Sequence, residues 1–235
     1  MRQLAEGVWL DTTPMRIVGT TSSVSMAVLR LPSGGLLLYS PLEMKSERRA
    51  AVEALGRVEH LVAPNLFHHL SLAEWAAAFP EATVHAAPGL EKKRPDLRID
   101  RTLGDAPDPG LADVITEVPI DGCRLGEVVL FYRPANTLLV ADLVHNVGRP
   151  SGWWTRAYTK LAGFYDEVAL SRVLRWTAFN DRAAARVSID RVLGLGFERL
   201  MVGHGEPIDA GASSAFERAY DWLAPRAGDR EQPNE

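Results

Sequence analysis

Residues 36–87 read LLLYSPLEMKSERRAAVEALGRVEHLVAPNLFHHLSLAEWAAAFPEATVHAA. Three apolar runs in or at the start of this segment have the length and composition of buried strands: 35–40, 60–63 and 83–87. Two segments between them carry apolar residues at helical spacing: 47–55 and 72–79. Strand and helix therefore alternate, which predicts an α/β fold.

Both predicted helices have suitable residues at their ends. Ser46 and Ser71 stand where an N-cap side chain accepts a hydrogen bond from the backbone of the first turn. Gly56 and Pro80 follow the last residues, where glycine closes a helix and proline cannot continue one. Two short helices are therefore expected here.

The chain before this segment predicts strands at 7–10 and 25–31, and Pro32-Ser33-Gly34 marks a hairpin turn into the strand at 35–40. After it, residues 91–113 are rich in Pro, Asp, Arg and Lys and are expected to cross the surface irregularly.

The second half of the chain begins with a predicted meander of three strands: 115–120, 127–132 and 137–141. Helices then dominate before a last short strand and a C-terminal helix: 155–164, 169–179, 181–195, 200–202 and 214–223. We expect one domain over residues 1–224, with a helical segment at about 148–196 and a polar tail at 225–235.

Composition narrows the class of protein. The 235 residues include 26 Lys+Arg and 30 Asp+Glu, a net charge of −4, which gives no support for nucleic-acid binding. The single cysteine, Cys123, excludes a disulfide framework and is interpreted as a small buried hydrophobe. The chain has neither an apolar run long enough to span a bilayer nor a secretory signal. We therefore expect a cytoplasmic protein whose partner is a small-molecule substrate.

Several of the six histidines follow predicted strands. His68 and His69 come after the strand ending near residue 63, His204 comes after the strand at 200–202, and Asp142 follows the strand at 137–141. Polar side chains just beyond strand ends gather at one edge of an α/β sheet, where ligands bind. Imidazole and carboxylate are ligands for Zn, Fe or Mn. The pattern predicts a metal site.

Each residue also has a structural interpretation. Asp142 is equally suited to capping the turn that follows it. His60 and His85 lie among apolar residues and are interpreted as structural. Gly203 and Gly205 around His204 favour the functional interpretation there, because glycine is used where the chain turns sharply or closely approaches a ligand.

Three segments together resemble the metallo-β-lactamase superfamily: LVAPNLFHH (61–69), LLVADLV (138–144) and LMVGHG (200–205). They resemble, in that order, the family's His-x-His-x-Asp-His loop, the strand ending in the metal-bridging Asp, and the strand that delivers a final His. The resemblance covers roughly residues 7–207 and is nearest to a divergent branch. It implies a four-layer αββα sandwich with a metal cleft at one edge.

The sequence departs from the family at the first metal position. If Asn65 takes the place of the first His, Phe67 replaces the second and His69 falls on the Asp position; shifted by one residue, His68 falls on the Asp position and His69 on the last His. No histidine lies where the family carries its middle His, near residues 118–122, and Asp121 is the only candidate ligand there. The second position, with His68 or His69, Asp142 and His204, is nearly complete.

The resemblance implies a hydrolase with one divalent metal ion, Zn first and Fe or Mn as alternatives. It would act on a small ester, lactone or thioester through activated water, with Asp121 or the second histidine of the pair accepting a proton. The alternative is a non-catalytic protein that keeps the fold to bind a ligand or partner. The helical segment is expected to pack on the sandwich, and it is also suited to cover the cleft or form a homodimer face.

Overall fold

The computed structural model describes residues 1–17, 20–106 and 108–224, and its strands form two sheets. The first sheet has seven strands in chain order: β1 (Arg2–Ala5), β2 (Val8–Ile17), β3 (Thr20–Arg30), β4 (Leu36–Tyr39), β5 (Val58–Ala63), β6 (Thr83–Ala86) and β7 (Arg101–Thr102). The second has four, in spatial order 11-10-9-8: β8 (Ile115–Pro119), β9 (Val128–Tyr132), β10 (Thr137–Asn146) and β11 (Arg199–Gly205).

Both parts of the strand prediction are confirmed. From β4 to β7 neighbouring strands are parallel, as the alternation of strand and helix requires. From β8 to β10 neighbouring strands are antiparallel and consecutive, which is the expected meander, and β11 then joins β10 in parallel. The turn at Pro32-Ser33-Gly34 links antiparallel β3 and β4.

The described residues form seven α-helices, of which the first six lie between strands and the last follows β11: α1 (Ser46–Glu53), α2 (Leu72–Ala78), α3 (Leu90–Lys93), α4 (Trp153–Ala162), α5 (Arg172–Thr177), α6 (Arg182–Leu193) and α7 (Ala212–Ala219). One expected cap differs, because Ser46 is the first helical residue of α1 and Lys45 occupies the N-cap position. Ser71 is the N-cap of α2 but makes no capping bond through its side chain. α5 begins later than predicted because Ser171 caps it, accepting a hydrogen bond from the backbone N–H of Leu174.

Three clusters of buried side chains define four layers. One lies between the two sheets and includes Leu37 and Val62 from the first sheet with Leu139 and Met201 from the second. Another fills the space between the outer face of the first sheet and α1 to α3. The last lies between the outer face of the second sheet and α6 and α7. The fold is therefore the predicted αββα sandwich.

An irregularity in the second sheet shapes the edge where the strands end. Val140 pairs with Val202 and His145 pairs with His204, so residues 141–144 of β10 lie opposite Gly203 alone. A β-carbon on Gly203 would lie 2.4 Å from the carbonyl oxygen of Ala141, which is why this position is glycine. The extra residues in β10 bend the strand and place Asp142 beside His204.

Two further expectations from the sequence concern the C-terminal tail and the absence of a membrane-spanning segment. The predicted tail at 225–235 lies outside the described residues. The helices of the described part of the chain are all too short or too polar to cross a membrane.

Candidate metal centre

Three side chains converge at one edge of the sandwich, one from the loop after β5 and two from β10 and β11. His68 Nε2 lies 3.3 Å from His204 Nε2 and 3.5 Å from Asp142 Oδ1, and His204 Nε2 lies 3.1 Å from the same carboxylate oxygen. The three side chains are only 7–13% exposed, yet all of them line one cleft. The loop after β5 of the first sheet thus meets two strands of the second sheet.

The separations suit a small divalent ion. Ligand atoms about 2.0–2.1 Å from a tetrahedral zinc ion lie about 3.3 Å from one another. The measured edges of 3.1, 3.3 and 3.5 Å scatter around that length. The donor set, two imidazole nitrogens and one carboxylate oxygen, is also one that zinc, iron and manganese accept.

The hydrogen bonding of His204 gives an independent argument for a cation. Its Nδ1 lies 2.8 Å from the backbone carbonyl oxygen of Ser23, and because a carbonyl only accepts, Nδ1 carries a proton. In a neutral ring Nε2 is then a bare lone pair, facing Asp142 Oδ1 at 3.1 Å. Two acceptors this close need a positive charge between them, either a proton or a metal ion.

His68 is oriented by Ser40. The Ser40 hydroxyl lies 2.7 Å from His68 Nδ1, which leaves Nε2 facing the cluster. Ser40 directly follows β4 and has a φ of +54°, in the left-handed region that non-glycine residues rarely adopt. The strained backbone therefore coincides with a contact to a candidate ligand.

A buried polar network supports Asp142 from behind. The amide nitrogen Nδ2 of Asn65 donates to Asp142 Oδ2 at 2.7 Å and to Glu127 Oε2 at 3.0 Å. Glu127 also accepts hydrogen bonds from the backbone N–H groups of Ala141 and Asp142 at 2.7 and 2.8 Å. The side-chain oxygen Oδ1 of Asn65 accepts hydrogen bonds from the backbone N–H groups of Phe67 and His68, at 2.8 Å each. Asn65 therefore joins the loop of His68 to the strand of Asp142.

The two carboxylates of this network have opposite pKa shifts. Burial alone would raise the pKa of Asp142, but the charge of His68 and the hydrogen bonds from His204 and His68 hold it well below its usual value. Burial, and after it the charge of Asp142, raise the pKa of Glu127 to about 7. For His204, burial opposes a higher pKa, yet the contact with Asp142 raises it overall. The cluster therefore favours an ionised Asp142 facing positive charge.

The structure places the other predicted site residues elsewhere. His69 is buried, and its Nδ1 lies 3.3 Å from the guanidinium of Arg94, so it is not brought to the cluster of His68. Asp121 accepts hydrogen bonds from Ser188 at 3.3 Å and Arg191 at 2.9 Å, both on α6. Asp121 is accordingly held by side chains of the outer helical layer.

His145 flanks the cluster. Its ring stacks on His204, with centroids 5.5 Å apart, and on Phe164, with centroids 5.4 Å apart. Burial and the charge of His204 lower the pKa of His145 to about 4. Its buried Nδ1 has no hydrogen-bond partner within the part of the chain that the structure describes. His145 thus packs as a neutral ring against a candidate ligand.

The cleft above these residues has a volume of about 530 Å³. Its walls are largely apolar and come from several elements: Met15, Val24, Leu42, Phe67, Leu70 and Leu174. Phe67 and Leu70 in this lining are 54% and 81% exposed, so they add apolar surface that a ligand in the cleft would cover. The polar cluster therefore lies at the base of an apolar cleft.

Sequence reasoning did not identify Ser40, Ser23 or Glu127 as part of the site. Ser40 and Ser23 act through partners more than 25 residues away in the chain, and no local motif marks such contacts. Glu127 could have been noticed in the sequence, because it directly precedes the apolar run VVLFY. A charged residue beside a buried strand needs a partner.

No family model and no curated protein matches this sequence. Solved structures do match, across nearly the whole chain. The chain is similar to a metallo-beta-lactamase from Pontibacter korlensis, with a TM-score of 0.67, 14% identity, and coverage of 95% of this chain and 98% of that one. It is also similar to the mono-zinc form of the metallo-beta-lactamase FIM-1 from Pseudomonas aeruginosa, with a TM-score of 0.63, 14% identity, and coverage of 95% and 96%.

A protein with a different name shares the architecture. The metal-soaked Flv1 flavodiiron core from Synechocystis sp. PCC6803 matches with a TM-score of 0.62 and 15% identity over 94% of this chain and 59% of that one. At such identities the likeness concerns the fold. The chain has the metallo-β-lactamase fold, which confirms the resemblance seen in its sequence at that level.

Proposed function

We propose that this protein is a metal-dependent hydrolase that holds one divalent metal ion on His68, Asp142 and His204. The observation that carries the proposal is the triangle of ligand atoms with edges of 3.1, 3.3 and 3.5 Å at the base of a cleft. Zinc is the first choice of ion, and iron or manganese are alternatives with the same ligand preferences.

When bound, the ion supplies a Lewis acid that activates water for attack on an acyl carbon. The protein's own contribution is to hold the ligands in place beforehand. Ser40 and the Ser23 carbonyl fix the orientation of the two imidazole rings, and Asn65 fixes the carboxylate. Asp142 remains ionised in this surrounding, which a metal ligand must be.

The cleft suggests the class of substrate. Its apolar walls favour an ester, lactone or thioester whose acyl part is hydrophobic over a strongly charged molecule. Phe67 and Leu70 stand at the solvent side of the cleft, so an acyl chain would cover apolar surface that is now exposed. Asp121 has no part in this proposal, because its carboxylate is engaged by Ser188 and Arg191.

The neighbouring histidines provide a matched test. Untagged wild-type protein and the variants His68→Gln, His69→Gln and His204→Gln are compared by elemental analysis after incubation with Zn²⁺, Mn²⁺ or anaerobic Fe²⁺. We expect His68→Gln and His204→Gln each to hold about one equivalent of metal less than wild type, and His69→Gln to hold as much as wild type. The proposal would be overturned if His69→Gln were the only one of the three variants to lose metal. It would also be overturned if folded wild-type protein bound none of these ions.

A non-catalytic binding protein is the second candidate, and Asn65 favours it. Where the family's loop carries histidines, this chain has an amide whose Nδ2 is occupied by two carboxylates. Esters, lactones and thioesters of graded acyl length separate the candidates. Metal-dependent turnover that disappears in Asp142→Asn supports the hydrolase, whereas saturable binding without turnover supports the binding protein.

A further inference from the structure

A second group of metal-ligating side chains lies elsewhere on the first sheet. His60 on β5 and His85 on β6 lie with Asp108, from the chain between β7 and β8, with one ligand atom of each within 4.8 Å of the others. His60 Nδ1 lies 2.9 Å from His85 Nε2, and His85 Nε2 lies 3.9 Å from Asp108 Oδ2.

The strand register explains why the two imidazoles meet. Val62 pairs with His85 across the parallel strands, and His60 stands two residues before Val62, so all three point to the same face of the sheet. That face packs against the second sheet, because Val62 belongs to the cluster between the sheets. The imidazoles are thus fixed on regular strands, and the carboxylate is brought by a connecting segment.

We propose that His60, His85 and Asp108 bind a second divalent transition-metal ion, separate from the centre at His68, Asp142 and His204. Two imidazoles and one carboxylate form a complete protein ligand set for zinc, with further positions for water. The measured separations of 2.9 and 3.9 Å lie on either side of the about 3.3 Å expected for tetrahedral ligands. Small shifts of side chains are enough to reach it.

The protonation of the two rings suits this role. Burial lowers the pKa of His60, and burial together with the proximity of His60 lowers the pKa of His85 to about 4. Both rings are therefore neutral at pH 7, as imidazole ligands must be. With protons on His60 Nε2 and His85 Nδ1, the two facing nitrogens present lone pairs to an ion.

Arg101 is the competitor of such an ion. Arg101 lies on β7 and pairs with His85 on the neighbouring strand β6. Its Nε lies 3.4 Å from Asp108 Oδ2. A cation that binds Asp108 must displace part of this ion pair. Removing the guanidinium in Arg101→Gln should therefore tighten metal binding, by about threefold for a partly exposed pair.

The consequence of binding concerns the segment between β7 and β8. It contributes Leu103, Leu111 and Val114 to the core between the sheets, and its Asp108 carboxylate lies 3.9 Å from His85 Nε2. An ion held by Asp108 and two strands would tie this segment to the sheet. The ion is therefore expected to raise the melting temperature without any change in turnover.

The test uses a full-length chain that lacks the first centre, the double variant Asp142→Asn/His204→Ala, titrated with Co²⁺ and Zn²⁺. We expect one equivalent to bind, with visible Co²⁺ absorption and a rise in melting temperature. Adding Asp108→Asn or His60→Gln should abolish all three signals. Asp105→Asn, an exposed carboxylate in the same segment, is the matched control and should keep them, and Arg101→Gln should lower the Kd.

Two results would overturn the inference. One is a double variant that is folded by circular dichroism and binds no Co²⁺ or Zn²⁺. The other is an Asp108→Asn protein that binds as well as Asp105→Asn. The outcome does not depend on the proposed hydrolase function. If the centre at His68, Asp142 and His204 binds no metal, the wild-type chain should still bind one ion, and Asp108→Asn should remove it. His60→Gln is preferred to a His85 variant because His60 is less deeply buried.

Discussion

Asn65 donates a hydrogen bond from Nδ2 to Asp142 Oδ2 over 2.7 Å, between residues 77 positions apart in the chain. The same nitrogen also donates to Glu127 Oε2, and the amide oxygen of Asn65 accepts a hydrogen bond from the backbone N–H of His68. One uncharged side chain therefore satisfies two buried carboxylates and orders the loop beside them. The amide of Asn65 thus links two carboxylates to the loop of His68 through hydrogen bonds within the protein.

Replacing Asn65 by Ala should lower both stability and metal affinity. The carboxylates and two backbone N–H groups lose their partner, which should reduce the free energy of unfolding by about 2–4 kcal/mol. Metal affinity should fall by about 10–100-fold, as for other groups that orient ligands. Urea denaturation and metal titration measure the two effects. Asn146→Ala, which removes a more exposed hydrogen bond to the Glu206 carbonyl, should change neither much. Equal effects of the two variants would contradict the role of Asn65.

Ser40 offers a pair of variants that separate the hydroxyl from the backbone. Ser40→Ala and Ser40→Gly both remove the contact with His68, so both should weaken metal binding by about 10–100-fold. The glycine variant should be about 1 kcal/mol more stable than the alanine variant, because Ser40 has a positive φ. Metal titration and thermal melting test this. Full metal content with lost turnover in both variants would instead point to Ser40 as a nucleophile.

The apolar cleft predicts a dependence on acyl length. Phe67→Ser and Leu70→Ser should each raise the KM for p-nitrophenyl octanoate by about 3–10-fold, since each removes about 1 kcal/mol of apolar contact. The KM for p-nitrophenyl acetate should hardly change. Leu161→Ser is the control, because Leu161 is equally exposed, at 78%, but lies on α4 outside the cleft lining. An equal effect on both esters, or the same effect from Leu161→Ser, would show that the cleft does not hold the acyl chain.

Cys123 should be unreactive in the folded protein. Burial raises the pKa of its thiol from 9.0 to about 12. At pH 8 the folded state then holds about a thousandfold less thiolate than the unfolded chain, and alkylation by iodoacetamide should slow accordingly. The folded state also keeps this proton between pH 9 and 12 while the unfolded state loses it, so the contribution of Cys123 to stability should fall as the pH rises through that range. Equal alkylation rates in buffer and in urea would contradict the prediction.

Gly203 should tolerate no side chain. In Gly203→Ala the new β-carbon would meet the Ala141 carbonyl oxygen at 2.4 Å, which should cost about 1–3 kcal/mol and separate Asp142 from His204. Gly211→Ala is the control, because Gly211 has a positive φ of +67° but open space around it. It should cost about 1 kcal/mol and leave metal affinity unchanged. Unchanged metal affinity in Gly203→Ala would show that the bend in β10 does not position the ligands.

The sequence predicted the order of strands and helices because each carries its own local pattern. β4 is apolar along its whole length, and β5 and β6 each end in buried residues, since both faces of the sheet are covered there. Boundaries were less accurate where a tertiary contact decides them. β10 extends to Asn146, beyond its apolar run, because it follows β11 past the irregularity that holds Asp142.

The candidate site was predictable in residue type and only partly in geometry. Strand ends marked His68, Asp142 and His204, but the choice between His68 and His69 depends on which ring the loop turns inward. That direction is set by Asn65 and Ser40, whose contacts cross between elements. Asp121 was proposed because it is the only candidate ligand in the stretch where the family carries its middle histidine. Sequence spacing does not reveal that α6 supplies the hydrogen-bond partners of Asp121.

The candidate centre lies across the joint between the two sheets, and this has a consequence for folding. His68 is 136 residues from His204, and His204 is 62 residues from Asp142, so an unfolded chain brings the three together only by chance. A half-folded chain with one sheet formed would hold either one ligand or two. During refolding of the Asp108→Asn chain with Co²⁺, the absorption of the centre at His68, Asp142 and His204 should therefore appear only when the two sheets dock, so the ion would report the time of that step.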